Sequence, residues 1–176
     1  MSDYAVFLRG VNVGGVTIKS ADLRASFERL PVNNVLTLLA SGNVVCSTDL
    51  SLQDLTSAVE TALRKDFGYE AWVVVLEADR LRGIVNACPF PADDPATHTY
   101  ITLFSDPAVL TELVDAATAA GEPAEVLGPE AAAWSAPKGQ TLESPLNKLT
   151  NKPRFKNATT TRNLRTLNKV LAALGR

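Results

Sequence analysis

The sequence is poor in the residues that most metal and thiol chemistry requires. Two cysteines and one histidine among 176 residues cannot supply a disulfide framework or an all-Cys/His zinc site. Long apolar runs are missing as well. The longest, Ala71 to Leu76 with Trp72 inside it, falls far short of the ~20 residues a membrane helix needs. The first residues lead directly into a strand-like run without a basic stretch or a long apolar segment, so no secretory leader is expected. Cys46 and Cys88 are isolated and read as reduced thiols of a cytosolic protein. What remains has ordinary proportions. With 46% apolar and 20% charged residues, disorder, collagen-like and low-complexity chains are excluded. A chain of this length can bury a sizeable core without staples.

The formal net charge of −2 conceals a division along the chain. From Lys138 to Arg176 nine bases face a single acid, Glu143, a balance of +8. The preceding 137 residues hold eight bases and eighteen acids, a balance of −10. Such asymmetry suggests either an anionic partner for the basic part or its folding against acidic elements of the same chain.

Hydrophobic spacing gives the organisation. Tyr4 to Leu8 reads as a buried strand, and Gly10 to Gly15 as a glycine-containing loop. Ser20 looks like the N-cap of a helix with Leu23, Phe27 and Leu30 on one face. Strands at Val35–Leu39 and Val44–Ser47 flank Ser41-Gly42-Asn43, a hairpin-type turn. Ser51 caps a second helix ended by Gly68, and Ala71–Leu76 is a fourth strand. A short helix from Asp79 to Ala87 precedes Pro89-Phe90-Pro91-Ala92-Asp93-Asp94-Pro95, the strongest boundary signal in the chain. Beyond it the order recurs: a strand at Thr99–Phe104, a helix at Pro107–Ala119, and paired strands at 124–127 and 131–135. There follow a short helix at Ser144–Leu149, a short strand at Lys156–Thr159 and a final helix from about Arg162 to Leu174. The expectation is an α+β protein of two ferredoxin-like halves, each β-α-β-β-α-β with an antiparallel sheet and helices on one face. The expected boundaries are 1–88 for the first plait, 89–97 for a hinge and 98–176 for the second.

Three segments invite a functional reading. Leu8-Arg9-Gly10-Val11-Asn12-Val13-Gly14-Gly15 looks like a phosphate loop. It fails the dinucleotide fingerprint because Asn12 stands where the middle glycine belongs, and it fails the P-loop pattern because Val16, not lysine, follows Gly15. It remains backbone able to aim N–H groups at an anion, with Arg9 at its mouth; the plainer alternative is a tight turn. In Thr159-Thr160-Thr161-Arg162-Asn163, Thr160 or Thr161 would cap the last helix. Arg162 would then oppose the positive end of the helix dipole, an arrangement explained by an anion or a carboxylate at that terminus. On that helix Leu164, Leu167, Val170, Leu171 and Leu174 fall within about 120° of arc, and Arg162, Arg165 and Lys169 within about 60° opposite. They form a basic ridge, or merely a solvated face. Lys152-Pro153-Arg154-Phe155-Lys156 interleaves bases with an aromatic, suited to a phosphate backbone or, more plainly, to a loop with Phe155 anchored in the core. Ser41 to Cys46 lacks the stacking aromatics of an RNA-recognition motif.

Catalytic constellations are thin. Ser144 and Lys148 stand one helical turn apart, as a nucleophile and its base could, but with no supporting motif a capping serine and a surface lysine are the favoured explanation. His98 has no carboxylate or cysteine partner evident in the sequence. Cys46 is expected to be a small buried hydrophobe.

Taken together, Leu8-Arg9-Gly10-Val11-Asn12-Val13-Gly14-Gly15, Ser41-Gly42-Asn43-Val44-Val45 and Thr160-Thr161-Arg162-Asn163 resemble the signature stretches of the bacterial family called domain of unknown function 1697. The resemblance covers nearly the whole chain. It implies a two-part α/β plait architecture and no established activity. Leu164 stands where an aromatic usually follows the Arg-Asn pair, Cys46 replaces a typical phenylalanine and Cys88 a usual asparagine. The first two departures weaken any role for aromatic stacking.

The sequence therefore suggests a binding module. Arg9, Asn12, Gly14 and Gly15, with Ser41, Asn43, Thr161, Arg162 and Asn163, would hold a phosphate of a nucleotide or nucleic acid, beside the ridge residues Arg165 and Lys169. The rivals are a small enzyme acting on a phosphorylated metabolite and a protein–protein interaction module with a basic face. No cofactor, metal or membrane partner is expected.

Overall fold

The computed structural model describes residues 1–11 and 16–175. Asn12, Val13, Gly14 and Gly15 lie outside the described residues, and with them most of the glycine loop. The chain divides into two compact units, Met1–Arg82 with Asn168–Arg176, and Gly83–Leu167.

In the first unit, β1 (Ser2–Leu8), α1 (Ser20–Glu28), β2 (Asn33–Leu38), β3 (Asn43–Thr48), α2 (Leu52–Phe67) and β4 (Val73–Glu77) follow in order. The strands form one sheet in the order β2-β3-β1-β4, with every neighbouring pair antiparallel. Alternation along the strands sorts the side chains. Tyr4, Val6, Leu8, Val44, Cys46, Val73 and Val75 join Leu23 and Phe27 of α1 and Leu55, Val59 and Leu63 of α2 in one core. Each of those α2 side chains is fully buried, stabilising the unit by roughly 1.5–3 kcal/mol apiece. The alternate residues Ala5, Phe7, Val45, Val74 and Leu76 are buried as well, so both faces of this sheet are sheltered from water.

Helix ends follow local chemistry. The Ser51 hydroxyl accepts from the Asp54 N–H at 3.1 Å, and Gly68 closes α2 by donating its N–H to the Arg64 carbonyl at 3.0 Å. Helix α1 begins at Ser20 itself, one residue earlier than the sequence suggests, and its N-cap Lys19 makes no side-chain cap bond. Asp66 near the end of α2 accepts from Ser26 and Arg29, tying α2 to α1 and its C-terminal end.

Helix α3 (Ala78–Ala87) spans the division between the units at Arg82 and Gly83. The second unit then contains β5 (Thr97–Phe104), α4 (Pro107–Ala119), β6 (Glu125–Gly128) and β7 (Ala131–Pro137), followed by two short helices, α5 (Pro145–Thr150) and α6 (Pro153–Lys156). Strand β8 (Thr159–Asn163) and the start of α7 (Leu164–Leu174) complete it. Its sheet runs β6-β7-β5-β8, all antiparallel, which repeats the order of the first. Asp106 caps α4 through the Ala108 N–H at 2.9 Å, with Pro107 at its first turn, where a missing N–H costs nothing. Val109, Leu110 and Leu113 of α4 pack with Phe104, Ala132 and Phe155, while Ala117 joins Trp134, Ala136 and Leu146. No helix among the described residues is long and apolar enough to cross a membrane.

The end of this unit differs from its sequence reading. Residues 156–158 of the expected strand are instead the close of α6 and a turn; the strand starts only at Thr159 and runs to Asn163, through the residues expected to open the final helix. Three consecutive threonines are β-branched and favour extended backbone when a partner strand lies alongside. Here β5 supplies it, with Thr160 opposite Leu103 and Arg162 opposite Ile101.

Candidate functional site

In the first unit, two of the three segments singled out in the sequence meet. The Leu8 N–H at the end of β1 donates to the Gly42 carbonyl at 2.9 Å, and the next residue's N–H, that of Arg9, donates to the Trp72 carbonyl at 3.1 Å. The start of the glycine loop is thereby fixed between the β2–β3 turn and the residue preceding β4. The turn is tightly built. Gly42 has φ of +77° and a Cβ placed there would stand 2.9 Å from Leu8 Cβ, closer than non-bonded carbons approach. Leu39, at the other end of the turn, also takes a left-handed conformation with φ of 59°, which costs a branched side chain energy. Fully buried Asn43 holds the turn closed, its Nδ2 donating to the Leu38 carbonyl and to Ser41 Oγ, each at 2.9 Å.

On this frame the Arg9 side chain is half-buried, and desolvation pulls its guanidinium pKa down. Arginine stays charged at physiological pH even so. A cation partly removed from water attracts an anion more strongly than one in bulk solvent. Val11 and Ile18, which flank the rest of the loop, are both buried in the core. Arg9, Ser41 and Asn43 therefore share one neighbourhood; Asn12, Gly14 and Gly15 lie outside the described residues.

The second unit places its candidates differently. Arg162 belongs to β8 and not to the first turn of a helix, so it does not oppose a helix dipole. It is 7% exposed, and its Nη1 donates to Thr160 Oγ1 at 2.6 Å and to the Thr161 carbonyl at 3.0 Å. Asn163, not a threonine, caps α7: its Oδ1 accepts from the Arg165 N–H at 2.9 Å. Thr161 turns to the other side of the strand, where its hydroxyl lies 2.9 Å from that of Thr102, which accepts from Trp134 Nε1 at 3.0 Å. The sequence gives no sign of this buried chain of polar groups, because it depends on the register between β5, β7 and β8.

The basic ridge is shorter than expected. With Arg162 in the sheet, Arg165 and Lys169 remain exposed on α7. Arg165 Nε pairs with Asp93 Oδ1 at 2.9 Å and reaches the Ala92 carbonyl at 3.1 Å. Arg154 likewise meets Glu112, with Nη2 2.6 Å from Oε2. Part of the positive charge after residue 137 is thus balanced within its own unit. Phe155 is 5% exposed and anchored in the core.

Among the described residues, the side chains of Ser144, Lys148, His98 and the cysteines do not come together. Ser144 is buried and its hydroxyl donates to Glu122 Oε2 at 3.0 Å, while Lys148 is exposed. His98 contacts Tyr100 edge-on with ring centroids 6.2 Å apart. Burial pushes the Cys46 thiol up to about 11 and raises that of Cys88, which leaves little reactive thiolate. Among the described residues no group of three or more His, Cys, Asp or Glu side chains could hold a metal ion.

Comparison with known proteins agrees with the sequence resemblance. The profile of the family described as "Protein of unknown function (DUF1697)" matches residues 1–134. The chain belongs to this family. The matched DUF1697 region contains the Arg9 loop and the β2–β3 turn; the β8–α7 junction lies beyond it. No curated protein matches the chain. Among solved structures, the conserved bacterial protein SP0830 from Streptococcus pneumoniae is similar, with a TM-score of 0.78 and 19% identity over 98% of both chains. At that identity the likeness is one of fold alone, and it extends beyond the region matched by the DUF1697 profile.

Proposed function

We propose that this protein is an anion-binding module that takes a phosphate-bearing ligand, a nucleotide or a nucleic-acid phosphate, at the end of β1. Arg9 supplies the charge, Ser41 a hydroxyl, and the loop of Asn12, Gly14 and Gly15 backbone N–H donors. One observation carries the reading: a half-buried arginine stands on backbone pinned by the Leu8–Gly42 and Arg9–Trp72 hydrogen bonds. Preorganisation of that kind lowers the cost of ordering a charged side chain around a ligand. The proposed site draws on the first unit alone; the side chains of Thr161, Arg162 and Asn163 bond within the second unit's strand and cap. Each unit is further inferred to be a ferredoxin-like plait, which the repeated β-α-β-β-α-β order and the repeated strand order favour.

The test is thermal unfolding with inorganic phosphate and with a nucleoside monophosphate. At a hundred-fold excess over Kd a ligand adds about 2.7 kcal/mol, or roughly 5–10 °C in Tm for a chain of this size. Arg9→Gln is expected to abolish the shift. Arg9→Lys should weaken it, because lysine keeps the charge but loses the planar fork. An undiminished shift in Arg9→Gln, or none with any phosphate, refutes the proposal.

A further inference from the structure

The second unit presents a separate basic surface, on the crossover between β7 and β8. From Lys148 to Asn157 the exposed side chains are three lysines, Arg154, two asparagines and Pro153; Thr150 and Phe155 are buried. No acidic residue follows Glu143 anywhere in the chain. Arg154 is taken up by Glu112, with Asp106 also near it. Among the described residues no ion pair engages Lys148, Lys152 or Lys156, and all three are exposed.

Local backbone hydrogen bonds hold the segment that carries them. The Lys148 N–H donates to Ser144, that of Lys152 to Leu149 and that of Lys156 to the Lys152 carbonyl, at 2.9–3.1 Å. Lys148 stands on α5 and Lys156 closes α6, while Lys152 is the extended N-cap residue between the two helices, so the three lie along one exposed segment and not on one helical row. Duplex DNA presents one charge per about 1.7 Å of axis, so lysines spaced along a segment meet phosphates without a fixed register. An extended acidic peptide offers at most one carboxylate per ~3.3–3.6 Å. The segment also exposes no aromatic or aliphatic anchor of the kind that forms the centre of a protein–protein interface. Asparagine amides beside lysines suit phosphate and sugar oxygens. With Phe155 in the core, base stacking is not available to this surface.

The geometry points to a sequence-independent nucleic-acid contact, in which Lys148, Lys152 and Lys156 bind the phosphate backbone while Asn151 and Asn157 flank them. It is independent of the Arg9 site, which belongs to the other unit.

The experiment is fluorescence anisotropy of a labelled DNA duplex of arbitrary sequence, titrated with the full chain at several salt concentrations. Three phosphate contacts give a slope of log K against log salt near −2.7, hence a roughly 40-fold loss between about 50 and 200 mM salt. Replacing Lys148, Lys152 and Lys156 together by glutamine is expected to remove most of that slope. A control replacing the exposed Lys19, Lys65 and Lys138 changes net charge equally and should leave the slope near its original value. Because the Arg9 site is itself proposed to take phosphate, the crossover variant is also measured in an Arg9→Gln background, where it should lower the slope by the same amount. The inference is overturned if the unaltered chain fails to bind at low salt, or if the control loses as much as the crossover variant. Equally tight binding of poly-glutamate would overturn it too, since the surface would then attract any polyanion.

Discussion

Gly42→Ala is the substitution that most directly probes how the β2–β3 turn supports the Arg9 loop. Two separate costs meet there. The φ of +77° places an alanine in left-handed backbone, worth roughly 1–2 kcal/mol for an L-residue. The added methyl would also lie 2.9 Å from Leu8 Cβ. That neighbour cannot swing away, because Cβ is fixed to the backbone of β1 and Leu8 is 1% exposed in the core. Relief requires the turn to shift, stretching the Leu8–Gly42 hydrogen bond, at an overpacking cost of about 1–3 kcal/mol. The sum is roughly 2–5 kcal/mol. Gly10→Ala provides the internal control: its φ is +74° and a Cβ there meets none of the described residues within 4 Å. It should cost only the backbone share, about 1–2 kcal/mol. Urea unfolding followed by circular dichroism measures both. Equal losses in the two variants would refute the claim that Gly42 is required by close approach as well as by backbone conformation. If the turn supports Arg9, the Gly42→Ala protein should also lose phosphate-induced stabilisation in temperature where it still folds.

Asp66 titrates below its ordinary value of 3.8 because the Ser26 hydroxyl, and then Arg29, hydrogen-bond its charged form. A depressed carboxylate pKa contributes stability that is present above the unfolded value and lost as pH falls through the folded one. Urea midpoints should therefore drop below about pH 4, and Asp66→Asn should flatten that limb; identical acid limbs would exclude the Asp66 linkage. Thr102→Val removes the acceptor of buried Trp134 Nε1, at an expected cost of about 1–3 kcal/mol for the orphaned N–H. In a Trp134→Phe background the same change should cost less, and additivity in the double-mutant cycle would disprove the coupling. Cys46, 2% exposed with its thiol held near 11, should resist a disulfide reagent at neutral pH in the native state and react only after unfolding. Fast native-state modification of Cys46 by peptide mapping would contradict that burial.

Where the signals are local, the sequence specifies the structure closely. Helix α4 runs from Pro107 to Ala119 as its Asp-Pro start and apolar stripe require, and α2 opens at Ser51 and closes at Gly68. The junction before α7 was not legible in the same way. Threonine serves both helix caps and strands, and what separates the two here is β5, brought alongside from far earlier in the chain. Helix α6 has only four residues, too few for a helical period to show. The candidate site follows the same division. Arg9 and the Ser41-Gly42-Asn43 turn were recognisable as separate segments, but their meeting depends on the pairing of Phe7 with Asn43 across β1 and β3. The burial of Arg162 likewise depends on β8 being a strand, so the helix-terminus position that the threonine run suggests for it does not arise.

The two units share a strand order but not a crossover, and that difference bears on function. Between β3 and β4 the first unit has one continuous helix of 16 residues, whose apolar stripe covers the sheet and whose ends are capped. Between β7 and β8 the second has a six-residue helix and a four-residue helix, each opened by a proline. Proline is accepted at a first helical turn and disfavoured inside one, so Pro145 and Pro153 divide what could otherwise be a single rod. Leu146 and Phe155 then anchor the crossover, one buried apolar side chain from each piece. The positions between them are released from packing, and there the lysines stand. A repeated sheet order sets only where each crossover begins and ends. On the proposals made above, the first unit would bind through its polar residues at the end of β1 and the second through those on the broken crossover. The two surfaces can therefore be altered one at a time, and the expected separation of Arg9 effects from lysine effects follows from that.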